Sequence, residues 1–307
     1  MSSPRADNLS IICDLVFLIS DSKVSDSRRL FELVSIIQEH RCASLWRRTR
    51  QYHYISALRD LELIKIHRRN MEMTSQAYSL ARIVTFGNLE RRPLNEAEKA
   101  FLREHLISYE PLRNFLSRFL MTSMRLEGYE QLRADGGILI LEKDNRNGAE
   151  ILIKPNGQTE PLENVWEIKW TLKNWCKDLD IIDEIFLERD MTNIGDRHRR
   201  VFFPLKTSVT DYTLEDFKSK VNYLLEKIGG KGKRARIPLL MYDFCTTYFL
   251  PVKGFHYLLG RLYQELPDKY SLEKIPSVYI DERPHRVNGY TNYPKIGDCY
   301  RYSLVVR

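Results

Sequence analysis

Eight lysines and arginines crowd the stretch from Arg41 to Asn70 (Arg41, Arg47, Arg48, Arg50, Arg59, Lys65, Arg68, Arg69), against two acids, Asp60 and Glu62. That excess of six nearly accounts for the formal +7 of the whole 307-residue chain, so the remainder is close to neutral. Guanidinium and ammonium groups at this density neutralise a polyanion and displace its counterions. A second cationic run, Gly229 to Arg234 (GGKGKR), invites a phosphate-loop reading. It lacks the GxxxxGK[ST] spacing and has Arg234 where Ser or Thr would hold magnesium, so Lys231, Lys233 and Arg234, in the Gly-rich linker GGKGKRAR, read instead as a basic loop on a nucleic-acid backbone or as an inert linker. Metal-ligand spacing is missing: the seven histidines never fall three or four apart, and no HExxH or GxSxG occurs. No cofactor and no metal site is expected.

The elements that must position those cations are legible around them. Ile55, Leu58 and Leu61 repeat at helical spacing, while Arg48, Arg50, Gln51 and His53 precede them and stay polar. Two short extended pieces then flank the basic turn His67-Arg68-Arg69-Asn70. Upstream, RRLFELVSIIQEH places Leu30, Leu33, Val34 and Ile37 on one helical face, and a short helix is expected over Ala43 to Arg48. Downstream, Thr74 or Ser75 caps a helix over Gln76 to Val84. Helix, cationic hairpin and helix in this order resemble a winged-helix DNA-binding domain. The resemblance implies that one side of the helix packs on a core, the other enters the major groove, and the hairpin tip lies on the phosphate backbone.

The pattern returns further along. After a junction at Gly87 to Pro93 come two amphipathic helices, LNEAEKAFLREHL capped by Asn95 and PLRNFLSRFLMTSM with Pro111 in its first turn. A β-hairpin follows, Ile138 to Leu141 and Ala149 to Ile153 around Asn145, Asn147 and Gly148. Val165, Ile168, Leu172, Trp175, Cys176 and Leu179 then form a helical stripe, with Lys169, Lys173 and Asn174 on the expected free face. LDII after it matches LELI at Leu61 to Ile64 in kind and place, and two extended pieces enclose a tip with Arg197, His198, Arg199 and Arg200. A third pass runs through helices in DYTLEDFKSKVNYLLEKI, IPLLMYDFCTTYFL and PVKGFHYLLGRLYQEL to terminal strands SVYIDER and CYRYSLVV. The faces of these last helices are more apolar than a DNA reader needs, which also suits a protein-binding or dimerising copy.

A different chemistry is hinted at by Glu167-Ile168-Lys169, which matches the ExK pair of the PD-(D/E)xK nucleases, with Asp135 or Asp144 as the upstream acid on a magnesium ion. That site needs a strand through the triplet, whereas the apolar periodicity dictates a helix there. Composition adds bounds rather than detail. Charged content of 29% and hydrophobic content of 43% are those of an ordinary globular chain, and a pI near 9.0 points to nucleic acid. Five scattered cysteines without a CxxC suggest free thiols in a reducing, cytoplasmic setting. The apolar segment Leu9 to Ile19 is too short to span a bilayer and contains Asp14, so no membrane partner is expected.

The expectation is therefore an α+β, mostly helical chain of tandem winged-helix domains with β-hairpin wings, divided at residues 1–90, 91–209 and 210–307. Its partner is double-stranded DNA, bound as an initiator, regulator or recognition subunit of a larger DNA-processing complex, alone or as a homodimer, and without catalysis. Phosphate contact falls to Arg47, Arg48, Arg68, Arg69, Lys169, Arg197, Arg199, Arg200 and the Lys231, Lys233, Arg234 loop. Arg50, Gln51 and His53, with Lys173 and Asn174, are placed to reach base edges, where Arg suits guanine and Gln or Asn suits adenine. The rivals are a protein-interaction scaffold, since winged helices also dock proteins, and the magnesium-dependent nuclease.

Overall fold

A computed structural model describes residues 8–41, 49–86, 92–113, 139–143, 150–153, 159–161, 166–187, 199–205, 209–229, 234–274 and 293–306. The fold is mixed α and β, with helices and small antiparallel sheets. The chain forms two compact units, Met1–Arg118 with Asn164–Ile181, and Phe119–Glu163 with Ile182–Arg307. The helix Trp166–Asp178 belongs to the first unit, and the strands that follow it belong to the second.

The first unit is built on α1 (Leu9–Asp21), the apolar segment of the sequence, which is buried along most of its length and N-capped by the Asn8 side chain. Around it lie α2 (Ser27–Arg41), α3 (Thr49–Asp60), the hairpin β1 (Ile64–His67) and β2 (Asn70–Met73), and α4 (Ser75–Ile83), capped by Thr74 as its sequence predicts. On α3 the inward stripe is Tyr54, Ala57 and Leu58, continued just past its end by Leu61, all 2% exposed or less. The short helix expected at Ala43 to Arg48 lies outside the described residues. Next comes α5 (Glu96–Ile107), which opens with a full capping box: Asn95 Oδ1 accepts from Glu98 N at 2.7 Å, and Glu98 accepts from Asn95 N at 2.7 Å. A buried ion cluster ties this end of α5 to α1. Arg92 donates to Asp14 at 2.8 Å and to Glu98 at 2.7 and 2.5 Å, and both carboxylates are wholly inaccessible. The last element of the unit is α6 (Trp166–Asp178). The ExK triplet therefore sits on a helix.

The second unit contains a five-stranded antiparallel sheet in the order β5–β4–β3–β7–β6, from β3 (Leu139–Lys143), β4 (Glu150–Ile153), β5 (Thr159–Pro161), β6 (Ile182–Leu187) and β7 (Arg199–Pro204). It continues with α7 (Leu214–Gly229), β8 (Arg234–Arg236), α8 (Ile237–Tyr248), α9 (Val252–Glu265), β9 (Tyr270–Lys274), β10 (Lys295–Ile296) and β11 (Cys299–Val306). Phe217, Phe244 and Phe255, one from each helix, meet at ring separations of 4.9 to 5.7 Å, and Ile185 of β6 and Phe203 of β7 belong to the same core. Two local expectations change here. Arg234, Ala235 and Arg236 are a strand rather than linker, because Ala235 buries opposite Leu304 of β11. The partner described for the last strand is Tyr270–Lys274, whose Tyr270 and Leu272 alternate inward; SVYIDER lies outside the described residues. Among the described residues no helix is long and apolar enough to cross a membrane.

Candidate nucleic-acid interface

The exposed cations of the first hairpin follow from how α3 ends. Leu63 N donates to Leu58 O at 2.8 Å and Glu62 N to Arg59 O at 2.9 Å, with Glu62 at φ +53, a left-handed C-terminal cap that turns the chain sharply into β1. β1 and β2 pair in the register His67↔Asn70, leaving the two-residue tip Arg68-Arg69. Arg68 takes φ +56, a conformation that favours Gly or Asn, yet the position carries a cation. The tip is held from below by the α1–α2 connection: Asp26 bridges Asn70, Ser27 N donates to Arg69 O at 3.0 Å, and Met71 N to Ser25 O at 2.8 Å. Lys65, His67, Arg68 and Arg69 are all exposed or half-exposed on this support.

The same strand order recurs. In the first hairpin an earlier residue, Asp26, pairs with the returning strand β2. In the five-stranded sheet β3 pairs with β7, the returning strand of the β6–β7 hairpin. In the last sheet β8, which lies between α7 and α8, pairs with β11, while β9 flanks its other side. In each the returning strand lies between the outgoing strand and an earlier element, which in the first hairpin is the single bridging residue Asp26. The helix ends match too. Ile181 N donates to Cys176 O at 2.8 Å and Asp180 N to Lys177 O at 3.1 Å, with Asp180 at φ +53, so α6 closes with the cap that closes α3.

The expected site residues divide by where the fold puts them. Arg68 and Arg69 form the exposed tip, and His53 is half-buried on α3. Arg50 and Gln51 lie on the α3 backbone and Lys169 on that of α6; their side chains, and Arg47, Arg48, Arg197, Lys231 and Lys233 altogether, lie outside the described residues. Lys173 is a correction: it is only 6% exposed. Thr171 is buried as well, in addition to the apolar stripe Leu172, Trp175 and Cys176, so around Lys173 the burial of α6 extends beyond the side that apolar periodicity marks. Asn174 is half-buried. Arg199 and Arg200 belong to β7, which has β3 on one side and β6 on the other, rather than to a hairpin tip. Arg234 is exposed but held at 2.5 Å by Glu273, which also accepts from Ser303.

Sequence reasoning missed a second surface, on α9. Val252, Phe255, Leu258, Leu259 and Leu262 are buried, while Lys253, Tyr257 and Gln264 are exposed on the opposite stripe with Gly260 among them. The helix is anchored at its start by Asp183 of β6, whose Oδ2 accepts from Val252 N at 2.8 Å. On its flank the buried His256 Nε2 has no hydrogen-bond partner, and burial pushes the imidazole down to about 4, so it is neutral at pH 7. The signal was present in PVKGFHYLLGRLYQEL, whose polar residues recur at i, i+4 and i+11, but the apolar face of the same helix is the stronger pattern. Among the described residues no group of three or more His, Cys, Asp or Glu gathers as a metal site. Comparison with protein-family models, with curated proteins and with solved structures finds no match to this chain.

Proposed function

We propose that the chain is a double-stranded DNA-binding protein of winged-helix type, serving as an initiator, a regulator or the recognition subunit of a DNA-processing complex. The observation that carries this reading is the repeated strand order. In a winged helix, a short strand between the first two helices joins the hairpin that follows the third. The elements α1, Asp26, α2, α3, β1, β2 run in that sequence, and so do α7, β8, α8, α9, β9, β11. The first copy ends in a hairpin tip of adjacent exposed arginines, Arg68 and Arg69. Phosphate neutralisation by such groups is sequence-independent and strongly salt-dependent.

Binding to a random-sequence duplex, followed by fluorescence anisotropy between about 50 and 200 mM salt, tests the proposal. Affinity falls steeply with salt, and Arg68→Ala with Arg69→Ala flattens the log–log slope by about one for each phosphate that the two arginines neutralise. Weak binding with no salt slope rejects the DNA reading and favours the protein-docking scaffold.

A further inference from the structure

We infer that α9 discriminates DNA sequence through the stripe Lys253, Tyr257, Gly260 and Gln264, flanked by Arg261, while the Arg68-Arg69 hairpin supplies affinity without sequence preference. This inference rests on the proposed duplex-binding function. It starts from two glycines in one helix. A Cβ on Gly254 would meet Val209 Cγ2 at 2.6 Å, so packing alone requires a glycine there. A Cβ on Gly260 would meet nothing within 4 Å among the described residues. A glycine in a helix interior is destabilising relative to alanine, and among the described residues no neighbour asks for one at this place. What the missing Cβ provides is bare helix backbone, open to close approach from outside.

The side chains around that gap have the chemistry of base-edge readers. Lys253, Tyr257 (58% exposed) and Gln264 stand at i, i+4 and i+11 on one stripe, with Gly260 at i+7. Lysine and arginine suit guanine O6 and N7, and glutamine suits adenine N6 and N7. The nearby carboxylate, Glu265, is held by Arg261 at 2.6 Å and does not stand against a phosphate unpaired. A second copy of the chain is the weaker occupant. Tyr257 is the one large apolar group on the stripe, and the other large exposed ones among the described residues, Tyr78 and Tyr223, lie on other helices. The outward side of α3 differs: Ser56 donates to Asp60 at 3.3 Å, so that face presents a carboxylate where a duplex presents phosphates.

Selection of bound fragments from random DNA supplies a preferred duplex, and affinities for it and for a scrambled duplex are then compared. Gly260→Gln adds bulk into open space and replaces a helix-breaking residue, so the variant melts at a higher temperature than the wild type. Its preference for the selected duplex falls roughly tenfold, as does that of Gln264→Ala, while affinity for scrambled DNA moves less than about threefold. Arg68→Ala with Arg69→Ala lowers both affinities alike. The inference is overturned if the α9 variants keep the wild-type preference, if His53→Ala abolishes it instead, or if Gly260→Gln changes the oligomeric state of the chain without DNA. A wild-type chain that binds neither duplex removes the DNA reading and this inference together; one that binds both while the α9 variants keep their preference removes only the inference.

Discussion

The junctions α3→β1 and α6→β6 are the same device supported differently. Both helices end in a left-handed acidic residue, Glu62 or Asp180, and both offer the preceding carbonyl to α5. His105 Nε2 donates to Leu61 O at 2.6 Å, and two residues earlier Arg103 Nε donates to Leu179 O at 2.6 Å. Asp180 is also paired with Lys99 at 2.6 Å and Arg103 at 3.4 Å, whereas exposed Glu62 is held through its backbone. One helix thus braces two chain reversals, one by a single hydrogen bond and one by a network of hydrogen bond and ion pairs. The lesson is that a repeated local motif is kept by backbone geometry, while its strength is set by what packs beside it.

The heaviest blow to both junctions is Arg92→Ala. It leaves Asp14 and Glu98 buried without their arginine and loosens α5 at its capped end, at a cost of about 3–5 kcal/mol. Urea denaturation measures it, and the amides of Leu63 and Ile181 both lose exchange protection. Next in size is the contrast between two of the half-buried histidines, His105 and His256. His105 has a carbonyl partner; His256 has none for Nε2 and titrates near 4. The folded state resists protonating His256 while the unfolded chain takes up its proton near 6.5. Stability is therefore complete above that value and falls as pH drops towards 4, by on the order of 3 kcal/mol. His256→Leu removes that acid-side slope in melting curves taken across this range, and His105→Phe leaves it.

Smaller substitutions separate the two braces. Arg103→Met leaves Leu179 O without its donor and costs about 1–3 kcal/mol, exposing the Ile181 amide first; His105→Phe does the same for Leu61 O and exposes Leu63 first. Uniform loss of protection at both amides in either variant would mean that the junctions are not braced separately. The smallest effect is a gain. Glu62→Gly relaxes a left-handed residue and raises stability by about 0.5–1 kcal/mol, whereas Asp180→Gly gives less because it also discards Lys99 and Arg103. Equal gains from the two would show the charged network to be idle.

Much of this was written locally. The helix caps at Asn95 and Thr74 and the correspondence of LDII with LELI depend on neighbours a few residues apart, so the sequence determined α5, α4 and the matched helix ends by itself. The hairpin at Arg68-Arg69 was legible for the same reason, since its short turn and flanking extended pieces are adjacent in the chain. Only tertiary structure decided that Lys173 is buried, that Ala235 sits in a strand, and that α6 and the strands following it fall in different units. It alone joined Asp14, Arg92 and Glu98, and it alone turned Gly260 outward and Gly254 inward on a single helix. Periodicity shows which face of a helix is apolar, but whether the other face meets water, protein or a ligand depends on segments far away in sequence.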